Sequence, residues 1–186
     1  MSPGGAAAAA ADTFDLIAAE AAAESALWAE ALLPVAERDP TPVFSPLVRE
    51  AALGIGVETI YEGYLVHYGR PRLFAPADPD AALLLGDYLY AHGLVRVAAT
   101  GDVAAVRDLA ELVSLCAQGQ AEGRDGDGDG AAWAATAALL GLDALEMPRA
   151  ALRERGDPAP LDRAAREAAG DTAVDHALAT HRVRVR

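Results

Sequence analysis

The sequence predicts an all-α protein, and its composition and the spacing of its apolar residues are the two observations that predict it. Apolar residues make up 53% of the 186-residue chain, while aromatic residues make up only 5%. Much of the apolar fraction is alanine, the strongest helix former, and the residues that favour strands are sparse. Apolar residues also recur at helical spacing in segments that proline and glycine separate. We therefore expect one helical domain with a single core.

The same spacing divides the chain into three parts. Residues 1–11 are rich in glycine and alanine, and we expect this segment to be flexible. Residues 12–145 should form the core of a helical bundle, interrupted by a glycine- and aspartate-rich loop at 123–130. Residues 146–186 should form short C-terminal helices and a basic tail.

Capping residues and helix breakers place the individual helices within this frame. Ser45-Pro46 is typical of a helix start, and Gly69-Arg70-Pro71 of a stop. The segment at 80–100 is apolar on nearly every side, which predicts a helix at the centre of the bundle. The helices are expected at 12–38, 46–68, 80–100, 102–120, 131–145, 147–155, 160–169 and 172–181.

The charge balance excludes several classes of partner. A net charge of −13 argues against a nucleic-acid partner or an anionic membrane, because both require a cationic face. The N-terminus has no basic segment, and Glu20 and Glu24 interrupt its apolar run. We therefore predict neither a signal peptide nor an integral membrane protein, and we expect a cytoplasmic location.

The loop at 123–130 begins like a calcium-binding loop. Asp125, Asp127 and Asp129 match the opening D-x-D-x-D of an EF-hand, whose twelfth position is a glutamate that binds the ion through both oxygens. That position is Thr136 here, so the pattern favours a solvated linker, with weak calcium binding as the alternative. The single cysteine, Cys116, and the scattered histidines do not have zinc-site spacing, and we predict no metal site.

One ungapped stretch, from Val57 to Gln120, resembles the trans-polyprenyl diphosphate synthases. That family carries a helix with D-D-x-x-D, then G-x-P, then a helix that opens G-D-Y-L-L. Here Gly69-Arg70-Pro71 and Gly86-Asp87-Tyr88-Leu89 stand at the same spacing, and Ala117–Gln120 resembles the end of the family's next helix. The resemblance implies a helical bundle of isoprenoid-synthase type, truncated to its first half.

The resemblance also implies that the family's catalytic groups are missing. In the same register, the three metal-binding aspartates become Glu58, Thr59 and Glu62, and the arginine pair that binds diphosphate becomes His67 and Tyr68. We expect the two glutamates to be ordinary charges on a helix face, with a residual cation site as the alternative. Without metal ligands and cations, diphosphate departure lacks its stabilising charges. We therefore expect no catalysis and no cofactor.

Other residues in the matched stretch are candidates for lining a cavity. In the family, the helices that carry these positions line the tunnel for the prenyl chain. The corresponding candidates here are Tyr61, Leu65, Asp87, Tyr88 and Leu89. Asp87 lies among leucines, which predicts a buried carboxylate that bonds to a neighbouring helix; a functional role is the alternative.

Three functions remain open from the sequence. The first is an accessory or regulatory subunit of a prenyl diphosphate synthase, present as a homodimer or as a heteromer with a catalytic partner. The second is a self-associating helical protein that binds an isoprenoid or another lipid. The third is a divergent prenyltransferase that uses Glu58 and Glu62 with Mg²⁺.

Overall fold

The computed structural model describes residues 3–124 and 128–185, and within them it is all-helical. This confirms the predicted all-α class. Those residues form nine α-helices and no strand, together with 3₁₀ turns at Val35–Glu37 and Ser45–Leu47. The helices are α1 (Pro3–Glu24), α2 (Ala26–Glu30), α3 (Ala51–Tyr68), α4 (Pro79–Ala98), α5 (Val103–Ala121), α6 (Asp129–Ala138), α7 (Glu146–Arg155), α8 (Ala159–Ala169) and α9 (Asp171–Arg184).

Helix boundaries that depend on local signals lie close to their predicted positions. Helix α3 ends at Tyr68, directly before the glycine and proline of the predicted stop. The Asp78 carboxylate caps α4 by accepting a hydrogen bond from the Ala81 amide at 2.8 Å. Asp102 caps α5 in the same way, through the Ala105 amide at 2.8 Å. Each cap satisfies an amide that the first helical turn leaves without a partner.

The first predicted helix, 12–38, is wrong at both ends. Helix α1 begins at Pro3, and a break at Ser25 separates it from α2, which ends at Glu30. Beyond α2 the chain does not continue as an α-helix, because its backbone bonds to another segment: the Leu33 amide donates to the Leu73 carbonyl at 2.9 Å, and the Ala75 amide to the Ala31 carbonyl at 2.7 Å. Tertiary hydrogen bonds thus replace the helix that local propensity favours.

The second predicted helix begins later than Ser45-Pro46. Those residues form a 3₁₀ turn, and α3 starts at Ala51. The amides of residues 43–45, which lead into this turn, are bound to a buried side chain of α3, described below.

The centre of the bundle is α3, not α4. Nearly all of Leu53–Leu65 is buried, whereas α4 buries one face and exposes the other. On that outer face Leu83, Leu84 and Val95 are 55%, 55% and 66% exposed. The prediction that the segment at 80–100 forms the central helix is therefore wrong. Helix α4 lies at the periphery of the bundle, where its outer side is exposed despite its apolar residues.

Helices α3 and α4 approach so closely that their contact requires glycine. A Cβ atom added to Gly93 would lie 2.4 Å from Cγ1 of Ile60 and 2.9 Å from the carbonyl oxygen of Gly56. A Cβ atom on Gly63 would lie 2.9 Å from the Gly86 carbonyl oxygen. The two backbones therefore pack directly against each other along this line.

The C-terminal helices pack around α6, in which every residue from Ala132 to Ala138 is buried. The ring of Trp133 packs against Phe44, Tyr61 and Tyr64, so α6 joins the aromatic core that α3 presents. The loop predicted at 123–130 ends earlier than expected, because α6 begins at Asp129. Residues 125–127 of this loop lie outside the described residues.

The predicted basic tail belongs largely to α9, which extends to Arg184. The Arg184 guanidinium pairs with Asp39. The backbone carbonyl oxygen of Arg184 accepts a hydrogen bond from the Arg70 amide at 2.9 Å. Arg186 lies outside the described residues. Of the helices in the described part of the chain, none has the length and hydrophobicity that a bilayer crossing requires.

Candidate functional site

Glu58 and Glu62 lie one turn apart on α3, and both are fully buried. The expectation that they are ordinary charges on a helix face is therefore wrong. A buried carboxylate is costly unless charges and hydrogen bonds compensate it, so their surroundings must supply both.

Arg72 supplies the opposite charge. Its Nη1 donates to Oε2 of Glu58 at 2.5 Å and its Nε to Oε2 of Glu62 at 2.8 Å, which places one guanidinium between the two carboxylates. The arginine is itself only 1% exposed. The loop that follows α3 brings it back over the helix, and the three residues are called the Glu58–Arg72–Glu62 triad below.

Two aromatic rings and two carbonyl groups complete the surroundings of the guanidinium. Its central carbon lies 4.6 Å from the ring centre of Phe14 and 5.0 Å from that of Tyr61, within range of cation–π attraction. Its remaining donors reach the carbonyl oxygens of Thr41, at 3.1 Å, and Glu58, at 3.2 Å. Arg72 is therefore held from several sides.

Backbone amides balance the second negative charge of the triad. Oε1 of Glu58 accepts hydrogen bonds from the amides of three consecutive residues, which form a small anion-binding turn. These residues are Val43, Phe44 and Ser45, at N···O distances of 2.9, 3.1 and 2.9 Å.

Glu62 also accepts hydrogen bonds from backbone amides, in this case those of the loop that follows α3. Its Oε1 accepts hydrogen bonds from the amides of Arg72, at 2.7 Å, and Leu73, at 2.8 Å. Every carboxylate oxygen of the triad thus accepts at least one hydrogen bond from the protein. The arrangement joins the segments 41–45 and 72–73 to α3, which is a structural function.

The electrostatics of the triad keep the Arg72 guanidinium protonated. Burial alone would lower the pKa of the Arg72 guanidinium, but the charges of Glu58 and Glu62 outweigh it and raise the pKa above its ordinary value. Breaking such a buried network by removing one partner typically costs about 3–5 kcal/mol, because the remaining charge stays buried without compensation.

A magnesium ion does not fit this arrangement. Mg²⁺ requires oxygen ligands in near-octahedral geometry, whereas the oxygens of Glu58 and Glu62 already accept hydrogen bonds from amides and from a guanidinium. A cation placed there would also lie beside the positive charge of Arg72. Within the described residues, no group of three or more His, Cys, Asp or Glu side chains is placed to hold a metal ion.

The two residues at the positions of the family's arginine pair face other parts of the core. His67 packs against Gly86, where an added Cβ would lie 2.3 Å from Nε2 of the ring. Burial lowers the pKa of His67, although the nearby Asp87 partly opposes the shift. Tyr68 is partly buried, and its ring centre lies 5.4 Å from that of Tyr64.

Asp87 is exposed, so the prediction of a buried carboxylate is wrong. Its side chain is 66% exposed, and its Oδ1 lies 3.3 Å from Nε2 of His67. The contact does join α4 to the neighbouring helix. Asp87 lies on the outer side of α4, whereas Gly86 and Leu89 lie on the side that meets α3.

The other cavity candidates lie among packed side chains. Tyr61, Leu65 and Leu89 are each 0% exposed. The Tyr61 hydroxyl lies 2.9 Å from Nδ1 of His181, a residue of α9. Tyr88 is partly buried, and its ring stacks on that of Trp28 at a centroid distance of 5.8 Å.

A polar groove of 510 Å³ lies elsewhere, between α5 and α7. None of the residues predicted from the sequence lines it. Most of its charged side chains pair with one another: Arg149 with Asp108 at 2.9 Å, and Arg153 with Glu111 at 2.7 Å. Arg107 pairs with Asp143 in the same way.

Sequence reasoning missed two residues at the centre of these contacts, Arg72 and His181. Arg72 had a signal, since two glutamates in an otherwise apolar helix require a buried cation. His181 had none, because its position depends on how α9 packs.

In comparisons with known proteins, no family model, no curated protein and no solved structure matches the chain.

Proposed function

We propose that this chain is a non-catalytic, polyprenyl-synthase-like protein that acts as an accessory or regulatory subunit of a prenyl diphosphate synthase. The observation that carries the proposal is the Glu58–Arg72–Glu62 triad. In the register of the resemblance, its glutamates occupy the positions of metal-binding aspartates. Here they bind a guanidinium and five backbone amides, and they hold two loops on α3.

The positions of the family's arginine pair support the same interpretation. His67 and Tyr68 pack among aromatic rings and glycine, and neither provides the planar, permanently charged fork that binds a diphosphate. In the register of the resemblance, the groups that would stabilise the charge of a departing diphosphate are thus replaced.

The outer face of α4 favours a protein partner. Leu83, Leu84 and Val95 are all more than half exposed on this helix, and Ala91 lies exposed between Leu84 and Val95. Asp87 is exposed on the same side of α4, so the surface combines several apolar side chains with one charge, as is typical of a contact with another chain. We propose that this face meets the catalytic subunit, or a second copy of the chain.

Co-expression with a candidate prenyl diphosphate synthase tests the proposal. We expect the two proteins to elute together in size-exclusion chromatography. The double substitution Leu84→Glu and Val95→Glu should abolish the complex, because it places charges on the proposed contact. The matched control, Val35→Glu, changes a residue that is 74% exposed but lies outside α4, and it should leave the complex intact.

An assay of the purified chain with allylic and homoallylic diphosphates plus Mg²⁺ tests the non-catalytic part separately. We expect no chain elongation. Turnover that is lost in Glu58→Gln would instead support the divergent prenyltransferase, and the absence of any complex with a synthase would remove the accessory role.

A further inference from the structure

Asp129 is a buried carboxyl group outside the triad, and it lies in a different kind of environment. It is the first residue of α6 and is only 6% exposed. Its Oδ2 accepts a hydrogen bond from the Tyr64 hydroxyl at 2.7 Å and one from Nε2 of Gln120 at 3.2 Å. These two donors belong to α3 and α5, so one side chain joins the start of α6 to both helices.

The nearest positive charge is directed elsewhere. Arg124 precedes α6, but its Nη1 donates to the Leu152 carbonyl at 2.8 Å, and its guanidinium pairs with Glu122. The other residues that bear on Asp129 are neutral in their ordinary state. The titratable groups around it are Tyr64 and Tyr68 of α3, Tyr90 of α4, Cys116 of α5, Arg124 and, next to Gly130, His181 of α9.

We propose that Asp129 is a protonation-dependent anchor, whose neutral carboxyl holds the start of α6 against α3 and α5 and whose ionised form releases this end of the helix. The geometry separates it from Glu58 and Glu62, which keep an arginine at hydrogen-bond distance. An ionised Asp129 has only uncharged donors, which are the phenol of Tyr64, the amide of Gln120 and the thiol of Cys116, and such a buried site favours the uncharged acid.

The electrostatics agree in sign. Burial raises the pKa of Asp129 above its usual value, while the hydrogen bonds from Tyr64 and Gln120 partly oppose the shift. A raised pKa in the folded state means that the docked form is most stable at low pH. This stabilisation is lost as the pH rises from the ordinary aspartate range through the pKa of the folded state.

Hydrogen–deuterium exchange of the backbone amides of residues 130–138, between pH 4 and pH 8, tests the anchor. After correction for intrinsic exchange, we expect protection in the unmodified protein to fall with rising pH, by up to about tenfold per unit while one proton is released. In Asp129→Asn, which keeps the size and cannot ionise, protection should be independent of pH. The control Asp15→Asn removes an exposed carboxylate of α1 and should retain the original profile.

A second measurement does not depend on how well the variant folds. Carbon-13 NMR of the side-chain carboxyl carbons in the unmodified protein should show Asp129 titrating above the ordinary aspartate range. A normal titration of Asp129, or the same exchange profile in Asp129→Asn and the unmodified protein, would overturn the proposal. Neither result bears on complex formation with a synthase, so the proposed function is tested independently.

Discussion

Two regions beside α3 bury ionisable groups, and they do so in opposite ways. In the Glu58–Arg72–Glu62 triad, both acids and the base are held at hydrogen-bond distance from opposite charges or amides. In the contact between α3, α6 and α9, which is called the aromatic contact below, Asp129 and His181 have tyrosine hydroxyls as partners.

The difference shows what determines whether a buried ionisable group in this chain is charged or neutral. A charge persists where a second charge and several amides surround it, because they replace the hydration that burial removes. Where the hydrogen-bond partners are uncharged, burial favours the neutral form: it raises the pKa of Asp129 and lowers that of His181 to about 4. The aromatic contact should therefore respond to pH in the acid range, where His181 takes up a proton.

The largest expected effect comes from removing the cation of the triad. Arg72→Met keeps much of the side-chain volume but leaves two buried carboxylates without a counter-charge, so unfolding should become easier by about 3–5 kcal/mol. Urea denaturation measures the change. Arg163→Met, at an exposed position on α8, should change stability by less than about 0.5 kcal/mol. Equal effects of the two substitutions would show that the triad does not stabilise the fold.

The next effect concerns His181 in the aromatic contact. Its ordinary pKa of 6.5 is lowered to about 4 by burial and, secondarily, by Arg182. Because the folded state resists protonation, this residue should cost stability progressively as the pH falls from about 6.5 to about 4, by roughly 3 kcal/mol in total. The contribution of Asp129 has the opposite sign in acid, so the difference between variants is the informative quantity.

Urea denaturation of His181→Gln and of the unmodified protein, between pH 7 and pH 4, measures that difference. The difference in unfolding free energy between the two proteins should change by roughly 3 kcal/mol across this pH range. His176→Gln lies on the same helix at an exposed position, and it should follow the unmodified protein. A constant gap for His181→Gln would contradict the assignment of a buried neutral imidazole.

The smallest expected change in stability concerns a third contact to α3, in which glycines of α4 pack directly against its backbone. In Gly93→Ala, the new methyl group meets Ile60 and the backbone of Gly56, so we expect a loss of about 1–3 kcal/mol. Gly119→Ala is the matched control within α5, because its nearest neighbouring atom lies 3.8 Å away. It should stabilise the helix by up to about 1 kcal/mol. Thermal unfolding of both variants measures the contrast, and a neutral Gly93→Ala would mean that α4 can move away from α3.

The parts of the fold that follow from local signals were predictable, and those that depend on tertiary contacts were not. The end of α3 and the starts of α4 and α5 follow from glycine, proline and capping aspartates nearby in the sequence. The α-helix predicted from Ser45-Pro46 begins only at Ala51, and the amides of residues 43–45 bind Glu58, a contact that no local pattern reveals.

The candidate site shows the same limit. The spacing of Glu58 and Glu62 places them on one side of a helix, but it does not reveal whether that side is buried or which arginine reaches it. Arg72 is selected by the course of the loop after α3, which the sequence does not specify. The relationship to polyprenyl synthases remains a prediction from motif spacing.

The attachment of α9 has a consequence for the order in which the chain assembles. All parts of the triad are present once about the first 75 residues have been made, so this portion can form while synthesis continues. The contacts of α9 join residues far apart: Arg184 pairs with Asp39 across 145 positions, and His181 meets Tyr61 across 120. Because α9 follows all of these partners in the chain, the contact between Tyr61 and His181 can close only after residues 171–184 have been made.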